Sequence, residues 1–177
     1  MANIEHELRG RLTREEADRL EEFLKTTAKK VTSNHKETHF FVVPKGLVLK
    51  IVKMNDNRAF ISFKVGDETV GGLEEYEIPI AVDDIPKTIK LFKSLGYKYN
   101  YVPQQRTDYL LDDGTEIALK NTPDWGYHFE IEYVGDTSQM TSSEVLPLLE
   151  RACARLGITP MIPQEIEEFI ANINRNL

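Results

Sequence analysis

The chain has 177 residues, 41% apolar and 29% charged, the proportions of an ordinary globular domain long enough to bury a core without disulfide or metal staples. Its 29 acidic and 22 basic residues leave a formal charge of −7, which argues against a duplex nucleic-acid coat but leaves room for a small anion held by a local Lys and Arg cluster. The single cysteine, Cys153, excludes an intrachain disulfide and a cysteine-built zinc site, and no apolar run approaches the ~20 residues of a membrane span.

Residues 4–9 alternate apolar and charged and predict a strand. Thr13 followed by Glu16 is a capping-box pattern, and Ala17, Leu20, Leu24 and Ala28 form the stripe of a first helix. Strands are predicted over 38–43 and 47–53, joined across Pro44-Lys45-Gly46, then over 59–65 after a hairpin loop at 54–58. A strand over 74–80 precedes a helix over 84–95, with Ile85, Ile89, Phe92 and Leu95 on one face and Gly96 as its stop. Strands over 97–102 and 106–111 follow, the second running into the turn Asp112-Asp113-Gly114. Two more, over 115–120 and 128–133, complete about eight.

A third helix starts at Thr141, again with Glu three residues on, and carries Val145, Leu148, Leu149, Ala152 and Leu156 before Gly157; Pro147 is expected in its first turn. Cys153 falls in this stripe and reads as core. A fourth helix spans 163–173, with Ile166, Phe169, Ile170 and Ile173. No repeated βαβ pattern occurs, so the strands are expected to be mostly antiparallel. One domain, 1–177, is expected. The residues before the first strand show no signal-peptide pattern, and with the lone cysteine this makes the cytoplasm the expected compartment.

Three segments carry the functional signal. Glu5-His6-Glu7-Leu8-Arg9, Glu75-Tyr76-Glu77 and Glu130-Ile131-Glu132 each put paired carboxylates on one side of a strand, because strand side chains alternate. A solvated sheet face is one reading of any single pair. The other follows from the four amphipathic helices, which need apolar sheet to cover. If the apolar sides face the helices, the charged sides face inward. An interior lined by Glu with Lys50, Lys64 and Arg106 has to hold water, cations and an anion, since unpaired buried charge costs several kcal/mol per ion. Hard carboxylate oxygens suit Mg²⁺ or Mn²⁺, and Lys and Arg suit phosphate oxygens.

At these residues the sequence resembles the CYTH-domain proteins, the triphosphate tunnel metalloenzymes. Their N-terminal Glu-x-Glu-x-Lys strand is matched by Glu5-His6-Glu7-Leu8-Arg9, and their basic strand by Leu49-Lys50-Ile51-Val52. Lys64 matches a strand-end Lys. Leu73-Glu74-Glu75-Tyr76-Glu77 matches an Arg-x-Glu-x-Glu strand, Gln104-Gln105-Arg106 a Lys-x-Arg segment, and Gly126-Tyr127-His128-Phe129-Glu130-Ile131-Glu132 the closing strand. The spacing around Leu95-Gly96-Tyr97 is similar to the class IV adenylyl cyclase branch.

The resemblance implies an α+β fold, an eight-stranded antiparallel β-barrel or tunnel with a charged interior, flanked by about four helices. It implies Mg²⁺ or Mn²⁺ as cofactor, with Glu5, Glu7, Glu75, Glu77, Glu130 and Glu132 on the metal side. Arg9, Lys50, Lys64 and Arg106 are the implied substrate-binding residues, to which Lys120, where the family carries Asp, is added if its strand register points it inward, and Glu5, Glu7 and Lys64 are the implied catalytic ones. The partner implied is a small triphosphate or nucleotide, with no duplex nucleic acid and no membrane; a homodimer stays open. The implied activity is divalent-metal-dependent hydrolysis of a triphosphate, with cyclisation of ATP to cyclic AMP and pyrophosphate as the alternative; binding without turnover is a third reading, motivated by the basic positions this chain lacks. This chain departs from the pattern at Arg9 for Lys, at Val52, Leu73 and Gln104, where basic residues are usual, at Lys120 for Asp and at His128 for Phe.

Among other residues, His35 and His39 lack the companions of a helical metal motif, His6 reads as a packed histidine, Trp125 as a barrel-rim residue, and Lys45, Lys53 and Arg58 as surface charges. Tyr76, Phe129 and Tyr133 are expected between barrel and helices.

Overall fold

A computed structural model describes residues 3–66, 73–123, 125–134 and 140–175, with side chains given from residue 6 to residue 171 within those ranges. The strands are β1 (Asn3–Glu5), β2 (Glu7–Leu12), β3 (Lys30–Phe41), β4 (Leu47–Met54), β5 (Ala59–Val65), β6 (Leu73–Ile80), β7 (Tyr99–Leu110), β8 (Thr115–Thr122) and β9 (Gly126–Tyr133). The helices are α1 (Arg14–Thr27), α2 (Ile85–Ser94), α3 (Ser142–Leu156) and α4 (Pro163–Arg175).

All strands lie in one antiparallel sheet, in the order β1-β6-β5-β4-β3-β7-β8-β9-β2. Only His6 separates β1 from β2, so the two edges of the sheet are successive halves of one chain segment. The first half pairs with β6 and the second with β9. The sheet thereby curls into an eight-stranded barrel joined through this segment, although β1 covers only Leu73–Glu75 of β6 and leaves 76–80 without a partner on that side among the described residues. His6 sits at this break and is buried.

The apolar faces point outward, as patterning predicts. Tyr109, Ile117, Phe129 and Ile131 form one core with Leu20 and Leu24 of α1 and Val145, Leu149 and Cys153 of α3. Phe41, Leu49, Ile51 and Ala59 form a second with Ile85, Ile89 and Phe92 of α2. Fully burying a Leu, Ile or Phe stabilises by about 1.5–3 kcal/mol, so each helix is held by its stripe more than by its own propensity. Thr13 and Thr141 both build capping boxes with the Glu three residues on, and Gly157, at φ 66°, ends α3 in the left-handed region.

Several details differ from the sequence reading. Residues 97–111 do not form two strands; β7 is continuous through Pro103. The β7–β8 ladder begins only at Gln105, so one side of the chain has no partner at Pro103. β3 begins at Lys30 rather than 38, because it pairs with β7 along its whole length. Pro147 lies in the second turn of α3, since the Thr141 capping box fixes the helix start six residues earlier. Tyr76 is 42% exposed and Ile78 55%. Among the described residues no helix covers that part of β6, so Tyr76 is not core; its hydroxyl donates to Glu74 at 2.6 Å. Phe129 and Tyr133 pack in the α1–α3 core as expected, and no helix among the described residues is long and apolar enough to cross a membrane.

Candidate functional site

Strand alternation aims one set of side chains into the barrel, and the register lines them up. Lys50 of β4 stands between Phe40 of β3 and Ser62 of β5, and Ser62 stands opposite Glu77 of β6. Val48, Lys64 and Glu75 form the next row. On the other wall, Asn34, Arg106, Lys120, His128 and Arg11 make one row across β3, β7, β8, β9 and β2. Asp108, Ala118, Glu130 and Arg9 make another, and Glu116, Glu132 and Glu7 a third.

Cations predominate on one arc of the lumen, which also holds Asp108 and Glu116, and carboxylates on the other, which also holds Arg9 and Arg11. β5, β4, β3, β7 and β8 each send in one cation: Lys64, Lys50, Lys36, Arg106 and Lys120. The paired carboxylates lie on the three contiguous strands that complete the circle. They are Glu75 and Glu77 on β6, Glu7 on the N-terminal strand, and Glu130 and Glu132 on β9. All of these except Glu132 line one cavity of about 590 Å³, together with Arg9, Phe40, Trp125 and Phe169. Glu132 shares the inward row of Glu7 but lies outside this cavity. Glu5 is in register with Leu73 on the inward row of β6; its side chain lies outside the described residues.

Ion pairs tie the two arcs together. Arg9 pairs with Glu7, and Lys120 with Glu130. Arg106 pairs with Asp108, lies 3.5 Å from Glu130 and reaches to 3.8 Å from Glu116. Lys64 lies 3.7 Å from Glu75, whose other carboxylate oxygen accepts from the Ser62 hydroxyl at 2.7 Å. Lys64 and Lys120 are only 6% and 7% exposed.

Such burial reshapes proton affinity. For Glu130, burial acts to raise the carboxyl, but Lys120, Arg9 and Arg106 overcome it and hold the group well below its ordinary value. Glu7 is lowered in the same way, chiefly by Arg9 against burial. Burial pushes Lys120 down to about 8 despite Glu130, and Lys36 down to about 7, with Arg106, Lys120 and Lys50 adding to the effect. His128 falls to about 4 through burial and the Lys120 charge; its Nδ1 lies 3.1 Å from the Gly126 carbonyl oxygen.

One end of the cavity is aromatic. Trp125 lies 5.6 Å from Phe40 and 5.5 Å from Phe169 between ring centroids, and Arg11 stands 5.0 Å over the Phe169 ring. α4 therefore closes this mouth rather than covering the barrel wall, and Lys45, at the same mouth, pairs with Glu167 of α4 at 2.8 Å.

The structure brings together Glu7, Arg9, Lys50, Lys64, Glu75, Glu77, Arg106, Lys120 and Glu130, all singled out from sequence. At the positions that depart from the tunnel pattern, Val52 lines the cavity, Leu73 is buried, and Gln104 donates from its amide to the Thr122 hydroxyl at 3.0 Å. Sequence reasoning missed Lys36, Asp108 and Glu116. Lys36 has a signal in hindsight: counting back in twos from Phe40 places it inward, but polar residues on both faces of 30–37 hide the strand. His39, on the outer face, stacks against Tyr99 and Tyr101.

No protein-family model and no curated protein matches the chain. Solved structures do. The PH1012 protein of Pyrococcus horikoshii is 25% identical, with 88% of this chain and 91% of that one covered at a TM-score of 0.68. HpAC1 of Hippeastrum, described as a putative adenylyl cyclase with a dominant triphosphatase activity, is 18% identical, with 90% of each chain covered and a TM-score of 0.63. The RNA triphosphatase domain of a mimivirus mRNA capping enzyme is 13% identical, with 87% and 88% covered and a TM-score of 0.57. The chain shares their fold. The expected barrel with a charged interior is present.

Proposed function

We propose that the chain is a CYTH-superfamily tunnel enzyme that hydrolyses a triphosphate with the help of Mg²⁺ or Mn²⁺. The observation that carries this reading is that cations predominate on one arc of a 590 Å³ cavity and carboxylates on the other. A metal–triphosphate complex presents the complementary pattern, with an anionic chain on one side and cationic charge on the other.

The donor set fits a hard divalent ion. Among the described residues no three His, Cys, Asp or Glu side chains converge as a ready-made cage. Mg²⁺ does not need one, since it keeps several waters and takes one or two carboxylates besides phosphate oxygens. Glu7 and Glu130 would hold it from neighbouring strands at the cavity wall, with Glu132 beside Glu7 beyond the lining and Glu75 and Glu77 on the far side of the N-terminal strand. When bound, the ion supplies Lewis-acid neutralisation of the phosphoryl oxygens.

The chain's own residues do the rest. Arg9, Lys50, Lys64, Arg106 and Lys120 hold phosphate oxygens and offset the charge that builds on the leaving diphosphate. Glu7, kept ionised at neutral pH by Arg9, accepts a proton from the attacking water. The low affinity of His128 for a proton keeps it neutral, so it adds no cation near pH 7.

A second reading, class IV adenylyl cyclase activity, is favoured by one feature. Phe40, Trp125 and Phe169 give the same cavity an aromatic end on which a base could stack. Product analysis separates the readings. With Mn²⁺, release of orthophosphate from tripolyphosphate, ATP or thiamine triphosphate supports hydrolysis; cyclic AMP and pyrophosphate from ATP support cyclisation. Glu130→Gln should abolish either. Stabilisation of the protein by these ligands without turnover, and with no effect of Glu130→Gln, would show a binding protein instead.

A further inference from the structure

Lys36 differs in its surroundings from four other lumen cations, Arg9, Lys64, Arg106 and Lys120. It projects inward from β3, partly buried, with its exposed portion on the cavity. Arg9, Lys64, Arg106 and Lys120 each lie within 4 Å of a carboxylate. Lys36 makes no such pair among the described residues. The groups acting on it are Lys50 from β4, Arg106 from β7 and Lys120 from β8, with Glu130 of β9 the single carboxylate among them; Glu116 of β8 feels its charge in turn. Like charges gathered in a poorly solvated space repel, and the arrangement is unfavourable until an anion joins them.

Position supplies a second argument. Lys36 is the direct cross-strand partner of Gln104, which lines the same cavity and brings no charge. Opposed residues in an antiparallel pair have Cβ atoms about 5 Å apart, so the Lys36 ammonium reaches the part of the cavity that Gln104 lines. The Gln104 amide is engaged by its hydrogen bond to Thr122.

We propose that Lys36 is an anion-binding residue of the tunnel, which with Lys50, Arg106 and Lys120 forms a subsite able to hold one phosphate of a phosphate chain without a divalent ion. This rests on the tunnel taking a phosphate chain, as proposed above. The burial-depressed proton affinity of Lys36 is consistent with it: an arriving anion restores the full ammonium charge.

The test is calorimetric titration of the full chain with tripolyphosphate in EDTA, for wild type, Lys36→Gln and Lys36→Arg. Wild type is expected to bind. Lys36→Gln should bind about tenfold to a hundredfold more weakly, the loss of one charge-assisted hydrogen bond. Lys36→Arg should stay within a few-fold of wild type. The unliganded Lys36→Gln protein should melt at the same temperature or higher, because a repelled charge has been removed; a purely structural lysine would give the opposite shift. Equal binding by Lys36→Gln and wild type overturns the subsite while leaving the triphosphate reading intact. Binding by wild type only when Mg²⁺ is added overturns the metal-free subsite alone. No binding with or without Mg²⁺ overturns both. Should Lys36→Gln fail to fold, Lys36→Met carries the comparison, and a drop in melting temperature in Lys36→Met as well overturns the assignment.

Discussion

Lys120 and Glu130 form an ion pair inside the tunnel, diagonally across β8 and β9: Lys120 stands opposite His128, and Glu130 opposite Ala118. The two partners are not equivalent. Glu130 also lies 3.5 Å from Arg106 and feels Arg9, so removing Lys120 leaves Glu130 still paired, whereas Lys120 makes no second ion pair among the described residues and loses its partner with Glu130. Stripping a buried charge of its partner costs about 3–5 kcal/mol. Glu130→Leu should therefore lower the free energy of urea unfolding by about that much, and Lys120→Met by clearly less. Equal losses, or the reverse order, would show that the lumen is too hydrated for the pairing to matter.

The pH dependence of stability has a definite sign at His128. Its folded-state value is about 4 against an ordinary 6.5, so between these values the unfolded chain binds the extra proton and stability falls as pH drops. The full effect is roughly 3 kcal/mol. His39 is also lowered, by burial, and adds to the same limb. Glu7 and Glu130, whose folded values are depressed, begin to lose their contribution only as pH falls past the ordinary carboxylate value near 4.5. Lys120 and Lys36, lowered to about 8 and about 7, make stability fall as pH drops towards 7, so thermal unfolding from pH 8 to pH 4 should show that limb first and then a further decline beginning near 6.5. His128→Asn, whose amide can still donate to the Gly126 carbonyl, should remove most of the decline between pH 6.5 and pH 4.5. A profile flat from 6.5 down to 4.5 in the wild type would contradict the buried, neutral His128.

The lumen was readable from the sequence because strand alternation is rigid. Once Glu75, Glu77, Glu130 and Lys64 sit on the charged sides of otherwise apolar strands, their convergence follows from where the helices must pack. Lys36 was not readable because 30–37 has no apolar face; its strand exists only because β7 pairs with it. Tyr76 was misplaced for the opposite reason: the apolar alternation of β6 is genuine, but among the described residues no helix comes to cover it. The role of α4 was hidden as well, since the Ile166 and Phe169 stripe looks the same whether it covers a wall or a mouth.

Gly10 is a packing constraint that composition does not reveal. A Cβ built there would lie 2.5 Å from the Thr159 carbonyl oxygen and closer still to the Phe129 ring. The 158–162 segment lies along β2 here, with the Met161 amide donating to the Arg9 carbonyl at 2.8 Å. Neither the backbone oxygen nor the buried ring can yield cheaply, so Gly10→Ala should cost about 1–3 kcal/mol. Circular dichroism melts would check this; an unchanged melting temperature would mean that the 158–162 segment does not hold its place against β2.

Trp125 is the single tryptophan, which makes the aromatic mouth directly observable. Its indole is flanked by Phe40, His128 and Phe169, and Phe169 is delivered by α4. Phe169→Ala removes one wall of that enclosure together with the ring under Arg11. The emission maximum should shift to the red and iodide quenching should rise, because water reaches the indole. Phe23→Ala, on exposed α1 surface, should change neither. A nucleotide whose base enters this mouth should quench Trp125 in the wild type, whereas tripolyphosphate, which has no ring to stack, should leave the emission nearly unchanged. Equal quenching by both ligands would place the base elsewhere and remove the feature that favours an organic triphosphate.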